Sequence, residues 1–286
     1  EGLYTLPEIA EPTLEAAAAP DMAEWQRIDY GKKIRNYGLL RGASSLTAFT
    51  SLRSSIVGRF ISMAGFGFDE STTVCPPDGG AALRALLSVK AYYQLDDTPV
   101  PDGFVFDHDE NGVAVYRNPN ALPMGFLQTT CTGTYHQRMD SQTTPTVLLA
   151  AVTLDDDELA AYQPRMQTLD VSDIPDWQES VARLKQNACD GFDATADGFI
   201  AHIDAKEAGI LVFTIPFDKG FSATIDRRQT DVIPCDVAFM GVWVEPGEHE
   251  IVFTYRTRAL PLGAALSALA AAMLAVYVFI CRRRGR

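Results

Sequence analysis

Residues 259–281 read ALPLGAALSALAAAMLAVYVFIC, a run of 23 residues without a charged side chain. As a helix that rises about 1.5 Å per residue, this run would reach roughly 35 Å, and a bilayer has a hydrocarbon core of about 30 Å. A buried helix at the edge of a soluble domain would show a polar stripe, and this run shows none. The run therefore predicts a transmembrane helix over residues 259–281.

The segment after this run indicates its orientation. Residues 282–286 read RRRGR, and arginines beside a spanning helix favour the cytoplasmic side of the membrane. We therefore expect a cytoplasmic tail at 282–286 and an extracytoplasmic position for residues 1–258. Because residue 1 is Glu and no basic n-region or apolar h-region follows it, export is expected to need a removed signal sequence or earlier transmembrane segments.

The net charge argues against one class of partner. It is −13 for the whole chain, and the part before residue 282 carries −17 because the tail holds four arginines. Such an acidic excess repels phosphate groups, so it opposes binding to nucleic acid or to an anionic lipid surface. We expect no nucleic-acid partner, and we expect the bilayer to be contacted through the helix.

The cysteines are compatible with an extracytoplasmic location. Four of them, Cys75, Cys131, Cys189 and Cys235, precede the predicted helix, and Cys281 lies at its inner end. Their spacings do not form the close pairs that a zinc site needs. One or two disulfides are possible among the first four, with three connectivities if all four pair. Cys281 is expected to be a free thiol, with palmitoylation as the minor alternative.

The region before the helix predicts an α+β fold. Between residues 198 and 255, short strands follow at about ten-residue spacing with turn signals between them, a pattern typical of an antiparallel sandwich. Before residue 190, helical and strand patterns alternate. The predicted organisation is a linker with a short helix (1–30), a mixed α/β subdomain (31–190), a β-sandwich subdomain (191–258), the transmembrane helix (259–281) and the tail (282–286).

Four predicted elements lie in the first half of the α/β part, one helix and three strands. A helix over 80–87 leads into a strand over 88–94, whose β-branched and aromatic side chains favour a sheet. Strands over 103–106 and 113–116 form a hairpin, because the Asn111-Gly112 pair supplies the positive φ angles of a tight turn.

Three more predictions concern its second half. The apolar run 146–154 predicts a continuous strand. The acidic residues 155–158 suit the N-terminus of a helix, where carboxylates meet unpaired N–H groups. Trp177, Val181 and Leu184 form one face of another helix, which Asp176 or Asp173 caps.

The polar motifs give no catalytic constellation. Residues 107–112, DHDENG, reproduce the first half of a calcium loop, but Asn118 stands where the bidentate Glu is needed, so a polar hairpin turn is favoured. Asp190, Asp193 and Asp197 are interpreted as a loop, with calcium binding as the weaker alternative. The acidic residues 155–158 are assigned to helix capping rather than catalysis. We predict no catalytic residue, no metal site and no cofactor-binding site in this chain.

A series of segments, taken together and in chain order, resembles the YfhO family of bacterial membrane proteins. The segments are NYGLLRG at 36–42, LLSVKAY at 86–92, YRNPNALPMGF at 116–126, IPFDKGF at 215–221, FMG at 239–241, PGEH at 246–249 and Tyr255. They extend over roughly residues 30 to 281. The sequence departs from the family pattern at Asp226-Arg227-Arg228, where an Asp-Gly-Lys turn is more usual and where Arg227 adopts a positive φ poorly.

The resemblance implies a function for a longer protein. Members look like multi-spanning GT-C-type glycosyltransferases that take sugar from a polyprenyl-phosphate donor and, in some cases, modify lipoteichoic acid. Their catalytic core would precede residue 1, so the resemblance transfers no catalytic residue. It implies a bacterial cell membrane as the location, a cell-envelope glycopolymer as partner and a polyprenyl-phosphate sugar as the donor of the parent protein.

Two functional hypotheses follow. In the first, the chain is the C-terminal extracytoplasmic part of such a glycosyltransferase and positions its acceptor. In the second, it is a non-catalytic, membrane-anchored envelope protein that binds glycan or a partner protein through its sandwich. Trp243 and Tyr255 are the candidate glycan-contacting residues, although aromatic side chains in strands more often fill cores.

Overall fold

The computed structural model describes residues 27–30, 38, 43–49, 53–68, 73–77, 80–95, 97–110, 112–133, 140–170 and 172–284. Residues 1–26 of the predicted linker, and the last two residues of the tail, lie outside the described part of the chain.

Helices and strands are numbered here in chain order. The helices are α1 (Ser55–Met63), α2 (Ala81–Leu86), α3 (Thr143–Ala150), α4 (Asp156–Tyr162), α5 (Trp177–Lys185) and α6 (Leu260–Arg284). The first twelve strands are β1 (Arg27–Tyr30), β2 (Ser44–Ser45), β3 (Ala48–Phe49), β4 (Gly67–Phe68), β5 (Thr73–Cys75), β6 (Val89–Gln94), β7 (Val105–Glu110), β8 (Val113–Arg117), β9 (Phe126–Gln128), β10 (Thr130–Gly133), β11 (Val152–Leu154) and β12 (Gln167–Thr168). The remaining strands are β13 (Gly191–Thr195), β14 (Gly198–Ala205), β15 (Gly209–Phe213), β16 (Phe221–Ile225), β17 (Arg228–Thr230), β18 (Ile233–Cys235), β19 (Phe239–Val244) and β20 (Gly247–Tyr255).

A central four-stranded sheet separates two hydrophobic cores. Its strand order is β18-β19-β15-β9, and every residue of β15 is buried. Ile210 and Val212 belong to the core on the side of helices α2, α3 and α5, whereas Leu211 and Phe213 belong to the core shared with the second sheet. Because side chains alternate along a strand, a strand covered on both faces becomes a continuous apolar run.

The second sheet has five antiparallel strands in the order β13-β14-β20-β16-β17. Its inner face carries Phe199 and Phe253, whose rings stack with centroids 4.5 Å apart. Phe213 of the central sheet meets both rings, at 5.0 and 5.3 Å. Aromatic packing of this kind adds to simple burial, so these rings hold the two sheets together as the predicted sandwich.

A third, five-stranded sheet lies in the first half of the chain. Its strand order is β2-β1-β6-β8-β7. Strand β1 is parallel to β6, and β7 and β8 form an antiparallel hairpin. Asp29 of β1 and Arg84 of α2 form a fully buried ion pair, 2.8 Å between Nε and the carboxylate oxygen. The pair joins this sheet to the helical layer.

Several predicted elements are confirmed. Helix α2, strand β6 and helix α5 lie where the sequence predicts them, and the carboxylate of Asp176 accepts a hydrogen bond from the Gln178 N–H as the N-cap of α5. The hairpin β7–β8 is confirmed as well, with Gly112 at φ +83°. Strand β7 runs on to Glu110, so residues 107–110 are part of the strand and not of the turn.

The predicted strand over 146–154 is wrong. Helix α3 occupies Thr143–Ala150, and only Val152–Leu154 forms a strand. Asp140 accepts hydrogen bonds from the N–H groups of Gln142 and Thr143, which starts the helix. The helix is apolar on nearly every side because it is buried, and periodicity alone does not separate such a helix from a buried strand.

The cysteines are placed in the cores. Cys75, Cys131, Cys189 and Cys235 are buried, and the last three are free thiols, so none of these three is in a disulfide. Burial raises the pKa of Cys189 to about 12 and also raises the pKa of Cys131 and Cys235. Neutral thiols in this setting act as small apolar side chains.

Two features bear on the predicted organisation of the chain. Strand β9 of the first region pairs with β15 across the predicted border at residues 190 and 191. Helix α6 is 25 residues long, has a mean hydropathy of 2.3 over its most apolar 18-residue window and has none of that window buried. It is the one helix among the described residues that is long and apolar enough to cross a membrane. It continues through Arg282–Arg284 because arginine is a good helix former.

Candidate functional site

The outer face of the second sheet carries the polar side chains of two neighbouring strands. Along β14, Phe199, Ala201 and Ile203 point into the core while His202 and Asp204 are exposed. Strand β20 shows the same alternation, with Glu248 and Glu250 exposed and Ile251 and Phe253 buried. This period of two is what the pleat of a half-buried strand produces.

The register of these strands brings the polar residues together. His202 lies opposite Glu250, and Asp204 lies opposite Glu248. On the other side of β14, Gly191 lies opposite His202, and a Cβ at that position would come 3.3 Å from the imidazole Cδ2. The absence of a side chain at Gly191 therefore leaves room beside His202.

These residues line an open cavity of about 640 Å³, which we call the acidic groove. Its lining is Asp190, Gly191, His202, Ile203, Asp204, Glu248, His249 and Glu250. Asp190 is brought to the groove by the hydrogen bond from its N–H to the His202 carbonyl, 3.1 Å. The lining has four carboxylates and no Lys or Arg side chain, and one of these carboxylates, Asp204, is paired with Lys206.

A turn between β16 and β17 fixes one wall of the groove. Asp226 accepts hydrogen bonds from the Glu250 N–H, at 3.0 Å, and contacts Nδ1 of His249 at 2.8 Å. The other ring nitrogen of His249 lies 2.9 Å from the Glu245 carbonyl. The hydrogen bond with His249 lowers the pKa of Asp226 most, and the hydrogen bond from the Glu250 N–H lowers it further.

The same turn explains the departure from the family pattern at residues 226–228. Asp226 and Arg227 have φ angles of +50° and +68°, as a two-residue hairpin turn of the mirror-image type requires. Arg227 therefore does adopt the left-handed conformation without glycine. The two hydrogen-bond contacts of the Asp226 side chain offset the cost of that conformation.

The groove offers mainly hydrogen-bond acceptors, with the imidazole of His202 beside them. Carboxylates accept hydrogen bonds from hydroxyl and ammonium groups, and they repel phosphate. Among the described residues, no group of three or more His, Cys, Asp or Glu side chains has the geometry to hold a metal ion. The arrangement suits a hydroxyl-rich ligand rather than a phosphate.

The two aromatic residues predicted to contact glycan lie in different sheets. Trp243, on β19, stacks against Tyr162 with ring centroids 5.7 Å apart, and the guanidinium of Arg165 lies 4.2 Å from the Trp243 ring. Its indole N–H donates to Glu245, 2.7 Å away. Stacking by a sugar on the Trp243 ring would compete with these contacts.

Tyr255 lies at the far end of β20, where its ring contacts Phe221 at 5.0 Å. It is 37% exposed and is not among the residues that line the groove. The structure does not bring Tyr255 and Trp243 into one platform. The role of each in glycan contact stays a prediction.

The acidic residues considered for calcium binding and for helix capping lie in strands, bends and helix ends. Asp193 lies on β13 and pairs with Ile200 rather than in a loop, and Asp155 is the N-cap residue of α4. Asp190 lies in the bend before β13, as the loop interpretation expects, and lines the acidic groove. The signal for the groove was the outward alternation of acidic residues in β14 and β20, which reads as an ordinary solvated face until the strand register is known.

One comparison with known proteins finds a matching family model. Residues 140–267 match the family model described as bacterial membrane protein YfhO. These residues are therefore similar to the YfhO family, and we call residues 140–267 the YfhO region. The match begins just before α3, covers the acidic groove and every strand of the sandwich except β9, and ends inside α6. The resemblance to the YfhO family is thereby confirmed, and with α6 it assigns the chain to a membrane.

The YfhO match covers less of the chain than the motif series does. The segments at 36–42, 86–92 and 116–126 lie outside the matched residues, whereas those at 215–221, 239–241 and 246–249 lie within them. No curated protein and no solved structure matches the chain. The acidic groove lies within the YfhO region, and its chemistry is the guide to its ligand.

Proposed function

We propose that this chain is the extracytoplasmic part of a YfhO-type glycosyltransferase and presents a cell-envelope glycopolymer, such as lipoteichoic acid, to a catalytic centre that the chain does not contain. The sugar would come from a polyprenyl-phosphate donor. The chain's own task is to bind and orient the acceptor, and the acidic groove is where it does so.

The observation that carries this proposal is the continuity between the groove and the membrane helix. The groove and the first eight residues of α6 lie in the matched YfhO region, and β20, which supplies Glu248 and Glu250, leads within four residues into α6. A ligand held in the groove is therefore kept at a set distance from the membrane. Such positioning is how a binding module raises the rate of a reaction at a neighbouring centre.

The chemistry of the groove limits which part of the polymer it binds. Asp190, Asp204, Glu248 and Glu250 would accept hydrogen bonds from hydroxyl groups, and they would repel the phosphates of a lipoteichoic acid backbone. The hydroxyl-bearing units would therefore enter the groove while the phosphates stay outside it.

The test is envelope glycosylation in cells that carry the full-length parent protein. The double variant Asp204→Asn with Glu250→Gln keeps the shape of the groove and removes two charged acceptors. Since a hydrogen bond to a charged group contributes about 1.5–3 kcal/mol, sugar incorporation into lipoteichoic acid should fall about tenfold or more at limiting acceptor. Mass spectrometry of the isolated polymer measures the incorporation.

A charge-matched control removes two carboxylates elsewhere. Asp193→Asn with Asp173→Asn changes exposed residues outside the groove lining and should leave incorporation unchanged. Normal incorporation in both double variants would contradict the proposal. Normal incorporation with loss of polymer binding only in the groove variant would favour the second hypothesis, a glycan-binding envelope protein without a catalytic task.

A further inference from the structure

The junction between the sandwich and helix α6 is short and fastened. Strand β20 ends at Tyr255 and α6 begins at Leu260. The Tyr255 N–H donates to the Asp197 carbonyl at 2.6 Å, and the Arg256 N–H donates to the Gly220 carbonyl at 3.0 Å. The chain is therefore hydrogen-bonded into the sandwich as far as Arg256.

This junction restricts where the end of the sandwich can lie. Four residue steps separate Arg256 from Leu260, which span at most about 14 Å when fully extended. The actual span is shorter because the Leu260 N–H donates to the Thr257 carbonyl at 3.1 Å, which closes a turn. With α6 in the bilayer, the loops beside Tyr255 are held at the membrane surface.

The side chains at this end have the character of a membrane interface. Tyr255 and Phe221 form an aromatic pair, and Lys219, Arg256 and Arg258 are exposed. Tyrosine rings favour the headgroup level of a bilayer, and lysine and arginine attract anionic headgroups. We call these five residues the junction patch.

Charge differs between the two ends of the second sheet. At the junction, the three cations of the patch face two exposed carboxylates, Asp197 and Asp218, and Asp218 accepts a hydrogen bond from the Gly220 N–H at 2.7 Å. At the opposite end, the acidic groove holds four carboxylates. The strongly negative charge of the whole chain is therefore not shared by the end that adjoins α6.

We propose that the junction patch is a lipid-binding surface that lies in the headgroup region of the bilayer crossed by α6. The Tyr255 ring inserts at the headgroup level, and Lys219, Arg256 and Arg258 bind the phosphates of anionic phospholipid. Tyr255 is on this account a lipid contact instead of a glycan contact.

The position of the junction patch also sets the distance between the acidic groove and the membrane. Glu250 lies five residues and Glu248 seven residues before Tyr255 on β20. At about 3.4 Å per residue, the groove is therefore roughly 17 to 24 Å away along the strand. Docking of the junction patch would fix this separation and keep the acidic groove away from the anionic lipid surface.

The test uses the full chain in liposomes of phosphatidylcholine and phosphatidylglycerol that contain a phospholipid with a photoactivatable headgroup. Mass spectrometry then locates the cross-linked residues. We expect cross-links in residues 217–221 and 255–258 and not in residues 202–206 or 247–250. Cross-links confined to α6, or equally frequent around the groove, would overturn the proposal.

Charge reversal separates lipid contact from simple proximity. The triple variant Lys219→Glu, Arg256→Glu and Arg258→Glu should lower the cross-link yield at 217–221 by several-fold, because each cation near such a surface adds to the attraction of anionic headgroups. An unchanged yield in this variant would contradict phosphate binding by the patch.

The matched control reverses three exposed cations outside the junction. Arg117→Glu, Lys206→Glu and Arg228→Glu make the same change in net charge and should keep the yield at 217–221. An equal loss in the control would show a general charge effect and would overturn the assignment to the patch. Because the readout is lipid contact, failure here leaves the groove proposal intact.

Discussion

Asp236 is a carboxyl group sealed inside the protein at the turn between β18 and β19. One of its oxygens accepts a hydrogen bond from the Thr153 N–H at 2.8 Å, and the other has no hydrogen-bond partner among the described residues. Burial raises the pKa of Asp236 to about 8. The group is therefore mostly protonated at neutral pH, because an ion would lose its hydration there.

This raised pKa predicts a pH dependence of stability. Between the unfolded pKa of about 3.9 and the folded pKa of about 8, the folded chain keeps a proton that the unfolded chain releases, so the free energy of unfolding falls as pH rises. Asp236→Asn removes this contribution. From pH 4 to pH 8, the free energy of unfolding of the variant minus that of the wild type should rise by a few kcal/mol in urea unfolding. Parallel pH profiles of the two proteins would contradict the raised pKa of Asp236.

Gly125 is a position where the backbone conformation and the surrounding side chains require glycine. It has φ +97°, and a Cβ there would lie 2.5 Å from Cys189 Sγ and 2.8 Å from the Phe213 ring. Gly125→Ala should therefore lower the free energy of unfolding by about 2 kcal/mol or more, through backbone strain and overpacking together.

Gly112 provides the matched control for Gly125. It has φ +83° but open space around the position of a Cβ, so Gly112→Ala should cost only the conformational strain of about 1 kcal/mol. Thermal or urea unfolding of both variants makes the comparison. Equal losses would show that the crowding around Gly125 contributes nothing.

Helix α3 depends on side chains of other elements to complete its C-terminal end. Arg183 of α5 donates to the carbonyls of Leu149 and Ala150, and Gln128 of β9 donates to those of Leu148 and Leu149. The last carbonyls of a helix have no partner within it. These contacts satisfy them where water cannot reach.

Arg183→Met keeps much of the side-chain length and removes the donor. Since a buried acceptor left without a partner costs about 1–3 kcal/mol, the free energy of unfolding should fall by that amount. Gln178→Met, at an exposed position of the same helix, should change it by less than about 0.5 kcal/mol. Similar effects of the two substitutions would contradict the capping role of Arg183.

The contrast between α3 and β15 shows what the sequence allows one to predict. Strand β15 is a short apolar run among the short strands predicted between residues 198 and 255 from the turn signals between them, whereas the helix at Trp177 is predicted from its apolar face and its Asp176 cap. Helix α3 is as apolar as a buried strand, so its end caps, Arg183 and Gln128, become visible only in three dimensions. The groove was missed for the same reason, since its carboxylates come together through the β14–β20 register.

In the whole molecule, strand β20 connects the acidic groove to the junction patch, and the chain then continues into the membrane helix α6. The YfhO region spans the groove, the junction patch and the first eight residues of α6. In this account α6 and the patch hold the sandwich at the membrane, and the groove holds the hydroxyl-bearing part of an envelope polymer above it. The two binding surfaces differ in charge, so the acidic groove repels the anionic phospholipid that the junction patch binds.

The most direct test of the central claim is calorimetric titration of purified lipoteichoic acid into the full chain held in lipid nanodiscs. The account predicts binding whose Kd rises about tenfold or more in Asp204→Asn with Glu250→Gln, since tenfold corresponds to about 1.4 kcal/mol. The control Asp193→Asn with Asp173→Asn should bind as wild type does. Equal affinity in all three proteins, or no binding by wild type, would contradict the claim.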